Sequence, residues 1–584
     1  MLLYAVLTCY GIGWGLPSHA DDRYLFAGEP WPAERLAEAA AARLDPALGA
    51  DVDVDPLAAR AEPVVLNATT TGVAEIVRRY RLFTRQPDEM ITIMALSGMR
   101  PRALQLDPRL YQYGGLFIYP VGAAIGACGA LGVYPVTSDP AYYLANPASF
   151  GKFYITARAF AAAWGLVGIV VMYELARRIA GRGAGLLAAL LFVLLPVVTC
   201  MAHEAKPHLP GAVLMLLACL LAMRALDLQR NRDWLALFVC CGAAVGMVLS
   251  AAPIVLLIPL AIGTHCVNQT RRQQNEFPTC TRHHVNYRPI FIRATIGGWL
   301  VAGAIYLLTN PYIVINLFAN RAVLRSNFGN SLAMYQITHL FAGARRVIEL
   351  TAAGATWPVL LFGITGGVWA LRHRTRVALP LGVMALLLAL QFVLLGAGKP
   401  DEYGRFGVFT NCALAVSAAC FIAVTASRSR ALATFVGIIT VAVCAWTTAG
   451  YLAGFRADAQ RAGSRDRAAA WIAEHCPATP VALTAEPAPY GCPPLAFDRT
   501  AVVLYRLSAA ERPIDAARRW NSALRAGAAT VPPLLVTTCD DPAAFIAAMG
   551  APAWTDTQIF APRPPWLPPS RISWANKPVV VLHR

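Results

Sequence analysis

Apolar stretches almost free of charge recur through most of this chain. Between Met1 and Leu452 they run for 16 to 22 residues each, and only 14% of all 584 residues are charged. A soluble protein carries roughly 25% charged residues, whereas a helix needs about 20 apolar residues to cross the hydrocarbon core of a bilayer. A single water-soluble globule is therefore excluded. We expect a polytopic α-helical membrane protein with about 11 to 12 transmembrane helices.

Hydropathy predicts eleven spans in the first 452 residues. They lie near 1–16, 156–178, 184–202, 208–226, 233–248, 250–266, 293–312, 354–371, 376–396, 406–426 and 431–452. A further apolar stretch, Tyr113 to Tyr134, is long enough to cross, but it contains Pro120 and several glycines. We interpret it as an interfacial or re-entrant segment, because the arginine-rich links between the spans then all fall on one side.

The side of the membrane follows from those links, since Lys and Arg mark the cytoplasmic side. They also account for much of the net charge of +17, so no nucleic-acid partner is expected. The segments 17–155 and 453–584 are then predicted on the outer face, together with the turn 203–207. Segment 1–16 resembles either a cleaved signal peptide or a retained first span. We favour the span because no basic residue precedes the apolar run.

The last part of the chain, 453–584, lacks a long apolar stretch and is predicted to be a soluble C-terminal α/β domain. Helical patterns at 462–476, 513–527 and 541–550 alternate with extended patterns at 480–485, 501–507, 532–539 and 577–584. No glycine-rich phosphate loop follows these strands, so a nucleotide site is not expected. Cys476, Cys492 and Cys539 allow one disulfide if the domain faces an oxidising compartment.

The long first loop, 17–155, is a place to look for chemistry, because connections of this length are commonly functional. It contains a predicted amphipathic helix from Ala33 to Leu48 and an acidic DVDVDP turn, which lacks the glycine and distal glutamate of a calcium loop. Asp21 and Asp22 follow the first span directly. Such carboxylates are either poised to take up a proton or neutralised by a neighbouring cation such as Arg23.

A second polar group, HEAKPH, lies between two apolar segments, where ionisable side chains are functional candidates. His203, Glu204 and His208 could approach a divalent metal, although they lack the spacing of a strong zinc motif. The loop adds Asp88 and Glu89, and further cations at the same depth are Lys206, Arg158, Lys399 and Arg405. Cations that converge on an outer cavity suit the phosphate of a lipid.

Taken in order, these motifs resemble the GT-C superfamily of membrane glycosyltransferases, in particular family 39, which includes protein mannosyltransferases and the aminoarabinose transferase of lipid A. The resemblance covers most of residues 1–452. It is carried by GLPSHADDRYLF, an Arg opening the second span, ELARRIAGRGAGLLAALLFVLLP, HEAKPH, TNPYIVINLF and GRF. One departure is His208, which stands where relatives often carry an Asp after Lys-Pro.

The resemblance implies transfer of a sugar from a polyprenyl-phosphate carrier to an acceptor on the outer face of a bacterial inner membrane. It implies Asp21 as the general base, supported by Asp22, and inversion in a single displacement. It also implies that Lys206, Arg405 and Arg158 hold the donor phosphate. No cofactor is certain, and a divalent metal stays possible. Two other classes stay open: a secondary transporter, and a binder of lipid-linked sugar that does not turn it over.

Overall fold

The computed structural model describes residues 1–43, 64–276, 287–335, 337, 340–398, 404–504, 513–525, 532–550 and 554–584. The acidic DVDVDP turn and Lys399 lie outside this part of the chain. The α-helices in chain order are α1 Leu2–Cys9, α2 Asp22–Leu25, α3 Ala33–Arg43, α4 Thr70–Leu82, α5 Glu89–Ser97, α6 Gly115–Ala130, α7 Pro140–Ala145, α8 Pro147–Ala180, α9 Arg182–Leu194, α10 Pro196–Ala202, α11 His208–Leu228, α12 Asn231–Met247, α13 Leu257–Glu276, α14 Tyr287–Thr309, α15 Pro311–Ala319, α16 Arg321–Leu332, α17 Leu340–Ala355, α18 Trp357–His373, α19 Thr375–Gly398, α20 Val408–Ala426, α21 Arg430–Ala459, α22 Ser464–His475, α23 Pro513–Arg525 and α24 Pro542–Met549.

Nine of the eleven predicted spans have counterparts among the described residues. Seven are single helices long and apolar enough to cross a membrane, and the two others are bent pairs, α9 with α10 at 55° and α17 with α18 at 105°. Within the predicted span 1–16 the structure shows the helix α1, after which the chain turns at Gly11, where φ is +84°. The span predicted at 233–248 corresponds to α12, whose 17 residues reach only the lower limit for crossing.

The apolar stretch from Tyr113 to Tyr134 forms α6, which has 16 residues and agrees with a segment that does not cross. Two glycines at its start let it approach other helices closely. The Gly114 N–H donates to Met247 O at 3.0 Å, and the Gly115 N–H donates to Asn310 Oδ1 at 2.8 Å. A Cβ on Gly114 would lie 1.9 Å from a carbonyl oxygen of α12. The start of α6 is thus packed between α12 and the TNPY turn after α14.

The C-terminal part forms a six-stranded sheet, in which β2, β3 and β4 are parallel and the other pairings antiparallel. Its strands are β1 Val64–Val65, β2 Val481–Leu483, β3 Val502–Leu504, β4 Leu534–Thr538, β5 Asp556–Phe560 and β6 Val579–His583, in the order β1-β3-β2-β4-β6-β5. All seven elements predicted for this part are present. The strands β1 and β5 were not predicted, and β1 belongs to the first loop. Cys476, Cys492 and Cys539 are separate thiols, so the possible disulfide is not formed.

Polar contacts join the first loop to the C-terminal part across more than 400 residues of sequence. Asn67 accepts the Val502 N–H at 2.9 Å and donates to Phe497 O at 2.9 Å. The hydroxyl of Tyr80 donates to the Cys492 carbonyl at 3.0 Å. The first loop and the C-terminal part, which we call the tail, therefore contribute strands to one sheet.

The spans have two chemically different ends. At one end, short links between the spans carry most of the arginines of this region. They include Arg177, Arg178, Arg182, Arg230, Arg374, Arg428 and Arg430. We call this the arginine-rich end. The opposite end, which we call the loop end, carries the first loop, the turn 203–207 and the tail.

Candidate active site

Lys206 and Arg405 converge on Asp88 from separate parts of the chain. Lys206, in the turn between α10 and α11, places Nζ 3.0 Å from Asp88 Oδ2. Arg405, in the 3₁₀ turn Gly404–Gly407, donates from Nη1 to the same oxygen. The Asp88 side chain is 26% exposed, against 3% for Lys206 and 11% for Arg405. The carboxylate is therefore the solvent-facing member of this trio, which we call the Asp88 cluster.

Glu204 supports Lys206 from the buried side of the cluster. Its Oε2 lies 3.3 Å from Lys206 Nζ and accepts a 3.3 Å hydrogen bond from Gln86 Nε2. Gln86 in turn accepts the Asp88 N–H at 2.6 Å through Oε1. Burial raises the pKa of the Glu204 carboxyl above its ordinary value, and the Lys206 ammonium opposes this shift. Gln86 thus links Glu204 and Asp88 into one hydrogen-bonded unit.

Glu89, the neighbour of Asp88, forms a buried ion pair with Arg158. Both side chains are 0% exposed, and two N–H groups of Arg158 donate to the two Glu89 oxygens at 2.7 Å each. The remaining Nη1 of Arg158 donates to the carbonyls of Ile12 and Trp14. The Arg158 guanidinium is therefore enclosed, and its N–H groups are engaged by Glu89 and by two backbone carbonyls. Glu89 also accepts the Ala205 N–H at 2.7 Å, next to Lys206.

A second buried ion pair holds the chain just before Asp88. Arg85 donates to both oxygens of Asp466 at 2.6 and 2.7 Å and to Asp458 at 2.9 Å. Gly15 makes room for it: the Arg85 N–H donates to the Gly15 carbonyl at 2.9 Å, and a Cβ on Gly15, where φ is +59°, would lie 2.6 Å from Arg85 Cβ. Asp88 therefore lies between two residues that are held by buried ion pairs. Arg85 binds two aspartates of the tail, and Glu89 binds an arginine of α8. Such preorganisation suits a reacting group.

Asp21 and Asp22 lie in a different environment from the Asp88 cluster. Asp21 is 4% exposed, and both of its oxygens accept bonds from Arg461, at 3.0 and 2.8 Å. Burial raises the pKa of the Asp21 carboxyl, while Arg461 opposes the shift. Asp22 accepts from Arg81 at 3.3 and 3.2 Å and contacts His19 Nδ1 at 2.8 Å. Both carboxylates are closed within ion pairs, so the cations expected at the phosphate surround Asp88 and not Asp21.

The two histidines of HEAKPH do not assemble a metal site with Glu204. His203 is fully buried, its ring nitrogens contact Thr199 O at 2.7 Å and Tyr10 O at 3.0 Å, and its ring stacks on Phe455. His208 is packed edge-on between the rings of Tyr113 and Phe406. Within the described ranges no group of three or more His, Cys, Asp or Glu side chains could hold a metal. In the described structure these three side chains are therefore not grouped as metal ligands.

Most residues of the Asp88 cluster were recognisable from the sequence, but the sequence did not indicate which of them lie together. Asp88, Lys206, Arg405 and Glu204 were all candidates, and the structure brings them together. Gln86 and Arg85 were missed, although both precede Asp88 in the motif RQPDE. No local signal marks Arg85, since its partners Asp458 and Asp466 are 373 and 381 residues away.

The Asp88 cluster combines two kinds of chemistry. A partly exposed carboxylate accepts a proton from a hydroxyl brought within hydrogen-bond reach. Two cations beside it can stabilise a phosphate that gains charge as it departs. Because Lys206 and Arg405 now share one Asp88 oxygen, an incoming phosphate would compete with that oxygen for them.

One protein family matches part of the chain. Residues 148–279 match the sequence profile of the family described as dolichyl-phosphate-mannose-protein mannosyltransferase. The match runs from α8 into the link after α13, and it includes Arg158 and the HEAKPH turn. No curated protein sequence matches the chain.

Solved structures of membrane transferases show limited similarity. An oligosaccharyltransferase from Archaeoglobus fulgidus in complex with Zn and sulfate is 16% identical with a TM-score of 0.36, over 76% of this chain but only 55% of the archaeal chain. The archaeal enzyme AglB from the same organism, with an inhibitory peptide and a dolichol-phosphate, is 14% identical with a TM-score of 0.37, over 86% and 69% of the two chains.

A bacterial structure covers nearly all of its own length. ArnT from Cupriavidus metallidurans bound to undecaprenyl phosphate is 15% identical with a TM-score of 0.43, over 87% of this chain and 96% of that one. Over residues 148–279 the chain is therefore similar to the family described as dolichyl-phosphate-mannose-protein mannosyltransferase, and its apolar helices are those of an integral membrane protein.

Proposed function

We propose that the protein transfers a sugar from a polyprenyl-phosphate carrier to an acceptor hydroxyl, with Asp88 as the general base. The observation that carries this proposal is the convergence of Lys206 and Arg405 on the partly exposed Asp88 carboxylate. The family description, which names a dolichyl-phosphate sugar, supports a lipid-linked donor. Asp88 thereby replaces Asp21, which the motif order suggested, because Asp21 is closed in its pair with Arg461.

The reaction follows from the charges of the cluster. When the donor phosphate binds, Lys206 and Arg405 turn from Asp88 to the phosphate oxygens. A carboxylate that no longer shares two cations takes up a proton more readily. The acceptor oxygen attacks the anomeric carbon and gives its proton to Asp88, while the bond from that carbon to the phosphate oxygen breaks. Polyprenyl phosphate leaves with the electron pair, and this single displacement inverts the anomeric centre.

The supporting residues have defined tasks in this scheme. Glu204 forms an ion pair with Lys206 on the buried side of the cluster, and Gln86 accepts the backbone N–H of Asp88. Glu89 and Arg158 join the start of α5 to α8. None of these four needs to touch the sugar, so their variants are expected to act through geometry.

The test of the base is Asp88→Asn in the full-length protein. This change keeps the size of the side chain but removes the proton acceptor, so the transfer rate should fall about 10²- to 10⁴-fold. Asp139→Asn is the matched control, because Asp139 lies in the same loop, is exposed and only caps α7, and Asn caps helices as well as Asp does. Asp21→Asn should lower thermal stability, while the folded fraction keeps its turnover. A parental rate in Asp88→Asn would refute the assignment.

The phosphate ligands are tested by donor binding. Lys206→Gln and Arg405→Gln should each weaken binding of a polyprenyl-phosphate sugar, because each removes one charge from the phosphate site. Arg158→Gln instead leaves Glu89 buried without its cation and should lower stability first. If both Lys206→Gln and Arg405→Gln bound the donor as tightly as the parent, the phosphate would have to sit elsewhere.

We also propose that the loop end faces the outside of a bacterial inner membrane and the arginine-rich end the cytoplasm, as the excess of arginine favours. Single cysteines introduced at Ser18 and Ser427 test this orientation. A membrane-impermeant thiol reagent added to intact spheroplasts should label Ser18→Cys and spare Ser427→Cys. The reverse pattern would overturn the orientation and, with it, transfer on the outer face.

A further inference from the structure

A groove at the arginine-rich end of the spans is not explained by sugar transfer. It consists of a cavity of about 870 Å³, lined by residues of α13, α14 and the start of α19, and a second cavity of about 460 Å³, lined by residues of α13 and α14. Both cavities are lined by Gly263, Val267, Arg271 and Phe291. They form one continuous surface depression, which we call the α13 groove.

Most of the surface that lines the groove is apolar. Gly263, Val267 and Arg271 follow one another at intervals of four residues, so they lie on one face of α13. Phe291 of α14 and Leu379 of α19 line the opposite sides. The groove therefore runs from an apolar floor between the helices to a polar rim where α13 approaches its end.

The rim is strongly cationic. Arg271, Arg374 and Arg376 all line the larger cavity, and no aspartate or glutamate is among the described residues that line either cavity. Guanidinium groups bind phosphate oxygens through paired N–H donors. At the boundary between hydrocarbon and water, the ligand that matches a cationic rim above an apolar floor is a lipid with an anionic headgroup.

We propose that the α13 groove binds an anionic phospholipid of the leaflet at the arginine-rich end. Its phosphate lies among Arg271, Arg374 and Arg376, and an acyl chain runs along Val267 and Phe291. Free phosphate would satisfy the rim but leave the apolar floor uncovered. The site lies at the opposite end of the spans from the Asp88 cluster, so this inference stands whether or not the proposed transfer reaction is correct.

Lipid retention tests the groove directly. The full-length protein is placed in nanodiscs of equimolar phosphatidylglycerol and phosphatidylcholine, released, and examined by native mass spectrometry. The triple variant Arg271→Gln, Arg374→Gln, Arg376→Gln should retain phosphatidylglycerol about tenfold less than the parent. The control Arg232→Gln, Arg428→Gln, Arg430→Gln removes the same charge from exposed positions at the same end, and it should retain the lipid like the parent.

Two further measurements test the groove in the parent protein, without any variant. Phosphatidylglycerol with a photoreactive acyl chain should label the parent at peptides containing Val267 or Phe291, which does not depend on the variant folding. Short-chain phosphatidylglycerol should raise the melting temperature of the delipidated parent, and glycerol phosphate should not. Equal loss in the control variant, equal retention of phosphatidylcholine, labelling elsewhere, or equal stabilisation by glycerol phosphate would each overturn the proposal.

Discussion

Two acidic pairs that look alike in the sequence have different environments in the structure. Asp21-Asp22 follows the first apolar segment, whereas Asp88-Glu89 stands at the start of the apolar helix α5, and the position just after the first span favoured Asp21. Burial and partners distinguish them: Asp21 is 4% exposed and bound by Arg461, whereas the Asp88 side chain is 26% exposed. The sequence could supply the residue types but not the pairing of Asp88 with Lys206, since that contact depends on how the loop folds back.

His203 predicts a pH dependence of stability. Burial lowers the pKa of its imidazole from 6.5 to about 4, with backbone acceptors opposing the shift. Between these values the unfolded chain binds a proton that the folded chain does not. Stability should therefore be complete above pH 6.5 and fall as the pH drops through this window, by about 3 kcal/mol in total at 1.36 kcal/mol per unit.

The variant His203→Gln isolates this contribution. Its melting temperature in detergent should change less between pH 7 and pH 4 than that of the parent, whatever its absolute stability. His475→Gln is the control, because His475 is half-exposed and lies on the tail surface. If His203→Gln and the parent showed the same slope, the buried neutral histidine would not be the cause.

At the level of elements, hydropathy located the helices well but could not judge their lengths. A span is detected from side-chain composition over about 20 residues, and this worked for nine of the eleven predictions. In the segment 1–16 the helix ends at Cys9, shortly before Gly11 and Gly15, both of which adopt positive φ. The two-residue strand β1 could not be predicted, because so short a segment has no periodicity and gains its partner only from the tail.

The packing of α6 makes a prediction that compares two glycines of one segment. Gly114→Ala places a Cβ 1.9 Å from the Gly246 carbonyl, so α6 or α12 must move, and overpacking of this kind costs about 1 to 3 kcal/mol. Gly126→Ala meets no atom within 4 Å and should be neutral or slightly stabilising, because alanine restricts the unfolded chain. Melting temperatures of the two variants in the same detergent give the comparison. Equal values would mean that α6 does not pack on α12 as described.

The whole molecule is organised around contacts between its first loop and its tail. Arg85 is one of the buried links, and Arg85→Ala would leave Asp458 and Asp466 buried with one cation fewer. We expect a loss of about 3 to 5 kcal/mol and faster proteolysis of the tail. Arg78→Ala is the control, since its partner Glu75 lies one helical turn away and Arg78 is 28% exposed, so its loss should cost only about 0 to 1 kcal/mol. Similar protease sensitivity in both variants would contradict this account.

The strand β1 also sets the order in which the protein can be completed during synthesis. The ribosome makes Asn67 and β1 early, but 433 residues separate Asn67 from its acceptor at Thr500. Until the last span and the tail have been synthesised, the first loop has neither its sheet partner nor the acids that bind Arg85. Contacts this distant in sequence form late and leave the early segment exposed to proteases and to wrong pairings. Chains interrupted before the tail should consequently be degraded, beginning at their first loop. Proteolysis would then leave only full-length protein in the membrane.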